Sequence, residues 1–264
     1  MTPFLSRVAV LAAGLPIVVG AAWEGGWFLL AVAAVAGLVA LHELYRLARQ
    51  LRPLVLAGYA GAVGALLGAE LGDAEWMLGG FLVTFPLAFL FAAIAATRQS
   101  TTVAVGTTVL GAAWVSLGLA HLVLVRRLAV DGQDAIFAVL FTVFAADTVA
   151  FLAGRLLGRH RMTPVMSPGK TWEGFVAGAL AGILVAFFTL YDTAYEGWRT
   201  FVLGGAIVLA ATLGDLFESL VKRDLGAKDT GRILLGHGGV LDRIDSLLFA
   251  GPAAYYVFLA VGPS

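Results

Sequence analysis

The sequence predicts an all-α integral membrane protein with about nine transmembrane helices. Of its 264 residues, 60% are hydrophobic and only 13% are charged, whereas soluble domains carry about 25% charged residues. The hydrophobic residues also gather in runs close to the roughly 20 residues that a helix needs to cross a bilayer. The nine runs cover 5–22, 27–45, 53–71, 76–97, 103–125, 135–154, 173–191, 199–217 and 246–262.

These runs fill nearly the whole chain, so we expect a single polytopic membrane domain over 1–264. Within it, we expect the helices of 1–130 to serve packing or dimerisation, and 131–264 to form the catalytic part. The first run is interpreted as a span rather than a cleaved signal peptide, because it lacks a convincing small-residue cleavage site. The absence of cysteine excludes disulfides and thiolate metal sites.

The distribution of basic residues predicts how the spans are oriented. With a cytoplasmic N-terminus, fourteen of the seventeen basic residues lie in cytoplasmic segments, and only Arg126, Arg127 and Arg199 lie outside. This asymmetry agrees with the preference of basic residues for cytoplasmic loops. Two long cytoplasmic segments, 155–172 and 220–245, hold nine of the fourteen. We therefore expect the active-site loops on the cytoplasmic side.

Small and polar residues elsewhere in the runs are given structural roles. Glycines repeat every four positions in two runs, at Gly64 and Gly68 and at Gly174, Gly178 and Gly182. Such spacing lets helix backbones approach closely. At the cytoplasmic end of the second run, His42, Glu43 and Arg46 are interpreted as an interfacial polar face.

One aspartate, Asp147, lies within the sixth run, towards its cytoplasmic end. An ionisable residue inside a membrane span is a candidate functional residue by default. The structural alternative is a partner for a neighbouring helix or for Arg155. Both interpretations stay open from the sequence.

Three further aspartates flank the second cytoplasmic loop. Asp215 ends the eighth run, and on a continuing helix it shares a face with Glu218, Ser219 and Lys222. Asp242 and Asp245 share a face where the ninth run begins, since they are three positions apart; Asp242 and Asp245 also fit ordinary acidic capping of a helix start. Carboxylates that converge repel one another unless a cation joins them, and Mg²⁺ prefers oxygen ligands. The alternative is a lattice of salt bridges with the neighbouring basic residues.

The two cytoplasmic loops carry residues suited to phosphate. Gly238 and Gly239 follow His237, and successive backbone N–H groups there form a potential anion-binding nest. In the other loop, Ser167, Lys170, Thr171 and Glu173 stand at the start of the seventh run, where a helix N-terminus favours anions. Capping by Ser167 and Glu173 is the structural alternative. The Gly-Lys-Thr triplet is not a P-loop, because Pro164 occupies the position of the required first glycine and no strand is predicted before it.

Cations, carboxylates and hydroxyls in this combination suit a polyphosphate bound through magnesium, with a second substrate that arrives from the bilayer. The segment 219–245 also resembles the signature of the phosphatidate cytidylyltransferases, or CDP-diacylglycerol synthases. The matching residues are Ser219, Lys222, Arg223, Lys228, Asp229, Gly231, Leu234, His237, Gly238, Gly239, Asp242, Arg243 and Asp245. Leu235 departs from the pattern, which usually has a proline or a small residue there. The resemblance extends over about 145–250.

The resemblance implies that CTP and phosphatidate are converted into CDP-diacylglycerol and pyrophosphate in a Mg²⁺-dependent reaction, with a monovalent cation such as K⁺ beside the metal. It implies a homodimer in a bacterial cytoplasmic membrane, with no nucleic-acid partner. The metal ligands would be Asp215, Asp242 and Asp245. The catalytic residues would be Lys222, Arg223, Lys228, Asp229, His237 and Arg243. The substrate-binding residues would be Ser167, Lys170, Thr171, Glu173, Ser219, Gly238, Gly239 and Asp147.

Three other classes of membrane protein were weighed against this one. A polyprenol kinase or an ether-lipid cytidylyltransferase would share much of the same chemistry. A secondary transporter would place its charges near the bilayer centre between repeated halves, whereas here they lie at one surface and no repeat is visible. A scaffolding protein offers no reason for a loop so rich in aspartate and glycine.

Overall fold

The computed structural model describes residues 3–95, 100–164, 166–231 and 238–263, with side chains from residue 14 onward. Eleven α-helices are found in these residues. They are α1 (Pro3–Glu24), α2 (Gly26–Leu47), α3 (Val55–Leu71), α4 (Ala74–Leu82), α5 (Thr84–Ile94), α6 (Thr101–Ala112), α7 (Gly118–Arg126), α8 (Gly132–Leu157), α9 (Trp172–Thr189), α10 (Trp198–Asp224) and α11 (Leu241–Val261). A turn of π-helix, Ala113–Leu117, joins α6 to α7.

Seven helical stretches among the described residues are long and apolar enough to cross a membrane. They are Gly26–Leu47, Ala74–Ile94, Thr101–Arg126, Gly132–Leu157, Trp172–Thr189, Trp198–Asp224 and Leu241–Val261. Two shorter apolar helices, Gly14–Glu24 and Val55–Leu71, coincide with the two remaining predicted runs. The helical membrane architecture is therefore confirmed, and the count of nine spans stays a prediction.

A short β-hairpin between α8 and α9 is an element that the sequence analysis did not predict. Strands β1 (Arg161–Thr163) and β2 (Ser167–Thr171) pair antiparallel, with Arg161 opposite Thr171 and Thr163 opposite Ser167. Pro164 and Pro168 oppose helix in this segment, because proline lacks the backbone donor that a helix needs. Strand pairing instead satisfies the backbone of a segment too polar to enter the bilayer.

The described chain divides into two compact units. Unit 1 comprises Met1–Leu124 and Leu225–Ile244, and unit 2 comprises Val125–Asp224 and Asp245–Ser264. The prediction of a single membrane domain, with its catalytic part in 131–264, stays a prediction.

In unit 1, small residues bring the helices into contact. A side chain at Gly64 would meet the backbone of Gly80 at 2.6 Å, and Gly68 packs in the same way against the backbone of Trp76. The predicted close approach at Gly64 and Gly68 is therefore confirmed. The end of α2 is fixed separately, since the hydroxyl of Tyr45 donates a hydrogen bond of 2.7 Å to the carbonyl oxygen of Thr108 in α6.

In unit 2, glycines bring α8 and α9 together. A side chain at Gly174 would meet the carbonyl oxygen of Ala150 at 2.6 Å, and one at Gly178 would meet that of Ala146 at 2.5 Å. The predicted role of this glycine series in helix packing is confirmed. It places the start of α9, and with it the β-hairpin, beside the last turns of α8.

Candidate active site

Three carboxylates come together in unit 2. Asp215 and Glu218 on α10 and Asp245 on α11 each offer an oxygen atom, and these atoms lie within 4.8 Å of one another. Glu218 is 1% exposed and Asp245 is 8% exposed. Buried carboxylates this close repel one another unless a proton or a cation lies between them. The cluster is thus a candidate site for a divalent cation.

The close approach of α10 and α11 at this cluster depends on Gly214. A side chain at this position would lie 2.6 Å from the carbonyl oxygen of Asp245 and 3.2 Å from the Cβ atom of Phe249. Ordinary Cβ contacts are longer, so the absence of a side chain at residue 214 lets Asp245 stand beside Asp215.

Two lysines pair with the cluster. The Nζ atom of Lys170 lies 2.7 Å from an oxygen of Asp215, and the Nζ atom of Lys222 lies 2.7 Å from an oxygen of Glu218. The other oxygen of Glu218 is buried and has no hydrogen-bond partner among the described residues. These ion pairs differ from the salt-bridge lattice expected as the alternative from the sequence, which paired Asp242 with Arg243 and Asp245 with Lys222 or Arg223. A buried unpaired carboxylate oxygen is costly, and either a bound cation or a proton shared with the neighbouring Asp245 carboxylate would satisfy it.

Asp147 on α8 faces the same cluster. Its carboxylate interacts with the hydroxyl of Ser246 and with the charges of Asp215 and Lys170. It therefore belongs to the electrostatic environment of the carboxylates in unit 2. Arg155, its alternative partner from the sequence analysis, is not among these neighbours.

At the end of the β-hairpin and the start of α9, two predicted substrate-binding residues make structural contacts. The hydroxyl oxygen of Thr171 accepts a hydrogen bond of 3.1 Å from the Gly174 N–H, and so caps α9. The carboxylate of Glu173 accepts hydrogen bonds from the N–H groups of Arg159 and His160 and pairs with the His160 side chain at 2.6 Å. Ser167 lies at the start of β2. The Lys170 ammonium, by contrast, is presented to the carboxylate cluster.

In unit 1, Asp242 organises the segment that precedes it. Its carboxylate accepts hydrogen bonds from the N–H of Thr230, at 3.1 Å, and from the N–H of Gly239, at 2.7 Å. Gly238 has a φ of 79°, a conformation that glycine adopts readily. Asp242 thereby links Thr230 to Gly239. Its predicted role as a metal ligand stays a prediction, as does its convergence with Asp215, which lies in unit 2.

Glu43 on α2 is a residue whose position the sequence analysis misjudged. It was assigned to an interfacial polar face, but it is only 2% exposed. One of its oxygens accepts a hydrogen bond of 3.0 Å from the N–H of Leu241, and the backbones of Gly231 and Gly239 pack against the carboxylate. The interpretation fails because this side chain in the last turns of α2 is covered by Gly231, Gly239 and Leu241 of the same unit. An acid between the apolar residues Leu41 and Leu44 was the available signal.

For the remaining predicted site residues, the structure gives mainly the element and the exposure of the side chain. Lys228 and Asp229 are exposed in unit 1, where they line a cavity with α2, and Ser219 is half-buried on α10. Arg223 and Arg243 are exposed at the end of α10 and the start of α11. His237 lies outside the described residues, so its predicted catalytic role stays a prediction. Glu218 was noted as sharing a face with Asp215, but it was not predicted to belong to the metal cluster.

The known proteins that this chain resembles are cytidylyltransferases. A family model described as "Cytidylyltransferase family" matches residues 5–261. A phosphatidate cytidylyltransferase of Mycobacterium bovis is 38% identical over 226 residues, which cover 78% of this chain and 70% of that protein. The protein of the same name from Mycobacterium tuberculosis strain H37Rv is also 38% identical, over 65% of its length. That of Staphylococcus haemolyticus is 39% identical over 142 residues, or 53% of this chain and 54% of its own. The chain thus spans between about half and 70% of these relatives.

Proposed function

The chain belongs to the cytidylyltransferase family, and we propose that it transfers the CMP group of CTP to phosphatidate, forming CDP-diacylglycerol and releasing pyrophosphate. The observation that carries the proposal is the cluster of Asp215, Glu218 and Asp245 with its two lysines. It places acidic oxygens and cations in a membrane helix bundle, as a reaction between a nucleotide triphosphate and a lipid phosphate requires.

The proposed reaction is an in-line displacement at phosphorus. A phosphatidate oxygen forms a bond to the α-phosphorus of CTP, and the bond from that phosphorus to the bridging oxygen of the β-phosphate breaks. Pyrophosphate leaves with the bonding electrons. A phosphate monoester has its second pKa near 6, so the attacking group is largely a dianion at neutral pH. The protein therefore needs no general base, and its task is alignment and charge neutralisation.

Magnesium fits the carboxylate cluster, because hard cations prefer carboxylate oxygens and one Glu218 oxygen is buried without a partner among the described residues. Asp215, Glu218 and Asp245 would hold it, with Asp242 retained from the sequence as a further proposed ligand. When bound, the ion would neutralise charge on the CTP phosphates and the leaving pyrophosphate. A neighbouring monovalent cation such as K⁺ stays a prediction.

Lysines and arginines would neutralise the remaining charge. We assign Lys170 and Lys222 to exchange their carboxylate partners for substrate phosphates, since both already stand at the cluster. Lys228, Arg223 and Arg243 are also assigned to phosphate contacts. Asp147 would orient Lys170 rather than touch the substrate, because it interacts with that lysine.

We propose that the protein lies in a bacterial cytoplasmic membrane as a homodimer. Each chain would have nine spans and a cytoplasmic N-terminus. With nine spans in this orientation, the ends of α2, α8 and α10 and the starts of α9 and α11 all face the cytoplasm. CTP is available on that side, and phosphatidate reaches it through the bilayer. The basic-residue distribution supports this orientation.

The test is an assay of the purified full chain in detergent with phosphatidate, Mg²⁺ and CTP labelled at either the α- or the γ-phosphorus. We expect the α-label in the lipid and the γ-label in pyrophosphate, with turnover abolished by EDTA. A lipid kinase would instead put the γ-label into the lipid and release CDP. Either that outcome or full product formation in EDTA contradicts the proposal.

A further inference from the structure

Of the residues around a cavity in unit 1, the mechanism proposed above uses Lys228 alone. The cavity has a volume of about 540 Å³ and lies between the end of α2 and residues 228–231. Its lining includes His42, Arg46 and Arg49 from the α2 side and Lys228 and Asp229 opposite. Ligand-binding cavities fall commonly between about 300 and 1,000 Å³, so this one has room for a nucleotide or a lipid headgroup.

The walls of the cavity are predominantly cationic. Arg46, Arg49 and Lys228 are exposed on it, and none of them forms an ion pair with a carboxylate in the described part of the chain. The acids on the lining are Asp229 and Glu43, and one oxygen of Glu43 already accepts the Leu241 N–H. Arginine is suited to phosphate because its planar donors bind two oxygens at once.

The cavity is held in shape by buried contacts rather than by its charged rim. Glu43 fixes the start of α11 to α2, and Asp242 ties the N–H of Thr230 to that of Gly239. Thr230 is 8% exposed. The position of Lys228 and Asp229 opposite the α2 arginines thus follows from backbone contacts that are already made without a ligand. A pre-formed site binds without a large ordering cost.

We propose that this cavity is a subsite for a substrate phosphate, with Arg46 and Arg49 as binding residues and Lys228 opposite them. The proposal rests on the proposed function, and it adds α2 to the substrate-binding machinery. The shared chemistry is an anionic phosphate group, which belongs either to the triphosphate of CTP or to the phosphate monoester headgroup of phosphatidate.

The test is the double variant Arg46→Gln/Arg49→Gln in the full-length protein, assayed with each substrate varied in turn against a saturating amount of the other. Loss of charge-assisted hydrogen bonds should raise one apparent KM about tenfold or more, with a smaller effect on kcat. A rise confined to CTP assigns the cavity to the triphosphate, and a rise confined to phosphatidate assigns it to the lipid headgroup.

The matched control is Arg52→Gln, which removes an exposed positive charge that is absent from the cavity lining. It should leave both KM values unchanged, because the proposal attributes a higher KM to the loss of the cavity arginines and not to a general loss of surface charge. The proposal is supported if the double variant raises either KM more than about threefold above the control, and overturned by any smaller change. If the double variant is not folded, Arg49→Lys is used with the same threshold, since lysine keeps the charge but loses the two-oxygen contact.

Failure of the proposed function can be told apart from failure of this subsite. If the wild-type protein makes no CDP-lipid, the function fails. Equilibrium binding of CTP and of short-chain phosphatidate to the wild type and to the double variant then still tests the cavity. Weaker binding of either probe by the variant supports the subsite, and equal binding of both overturns it.

Discussion

The ammonium of Lys170 lies 2.7 Å from a carboxylate oxygen of Asp215. The lysine comes from the short β-hairpin before α9 and the aspartate from the middle of α10, so the contact joins a polar loop to a membrane helix. Both side chains are partly exposed, at 21% and 34%. An ion pair that a substrate can reach is suited to exchange, because an incoming phosphate can replace the carboxylate at the lysine.

Replacement of Lys170 by alanine should lower kcat/KM about tenfold or more, because a charged contact to phosphate is lost. Lys170→Arg should keep most of the activity, since it keeps the charge. The measurement is steady-state kinetics with CTP and phosphatidate varied separately. Arg159→Gln is the control, because Arg159 contributes a backbone N–H to Glu173 and its side chain is exposed. Unchanged kinetics in Lys170→Ala would mean that the hairpin only caps the start of α9 and does not bind substrate.

Gly214→Ala should inactivate the protein without a change at any charged residue. The added methyl group would lie 2.6 Å from the carbonyl oxygen of Asp245, so α11 has to shift away from Asp215. Gly205→Ala on the same helix is a matched control, because nothing lies within 4 Å of the new methyl group there. The comparison is made by CDP-lipid formation at saturating substrates. Equal activity in the two variants would show that the spacing of α10 and α11 is not critical.

Glu43→Ala should destabilise the start of α11. Leu241 is fully buried, and the loss of its acceptor leaves a buried N–H unsatisfied, at about 1–3 kcal/mol. Glu43→Gln retains an acceptor oxygen, so its melting temperature in detergent should stay close to that of the wild type. Thermal unfolding followed by intrinsic fluorescence measures both variants. A melting temperature for Glu43→Ala equal to that of Glu43→Gln would contradict the assigned hydrogen bond.

Thr171 is expected to act in folding rather than in substrate binding. Thr171→Val removes the oxygen that caps α9 at nearly constant shape, which should cost about 1 kcal/mol and lower the melting temperature by about 2–4 °C. Both KM values should stay at their wild-type level. Thr171→Ser keeps the capping hydroxyl but loses the methyl group, so it is the control for a change in shape alone. A KM that rises in Thr171→Val but not in Thr171→Ser would restore the substrate-binding role predicted from the sequence.

The positions of the helices followed from the sequence because the bilayer imposes a length and a composition on each span. The nine predicted runs all coincide with helices, and the glycines at 64, 68, 174 and 178 lie where helices touch. The hairpin at 161–171 was not predicted, since its three- and five-residue strands are too short for a clear alternating pattern.

The site was harder to predict because it depends on contacts between segments that are distant in the sequence. Asp215, Asp242 and Asp245 were expected to converge, because each stands at the polar end of a predicted apolar run. The carboxylates of Asp215 and Asp245 do come together, and the convergence of Asp242 with them stays a prediction. Glu43 was misjudged because the residues that cover it, Gly231, Gly239 and Leu241, are distant in the sequence. Glu218 shares the face of Asp215, but only its distance from Asp245 makes it part of the same cluster.

Titration of the purified protein with Mn²⁺, followed by electron paramagnetic resonance, tests most directly whether the cluster of Asp215, Glu218 and Asp245 binds a divalent ion. We expect the wild type to bind Mn²⁺ in competition with Mg²⁺, and both Asp245→Asn and Glu218→Gln to bind it about tenfold or more weakly, since each loses one charged ligand. The control, Glu75→Gln, changes an exposed acid at the start of α4 and should bind like the wild type. Wild-type Mn²⁺ affinity in Asp245→Asn and Glu218→Gln would contradict the account.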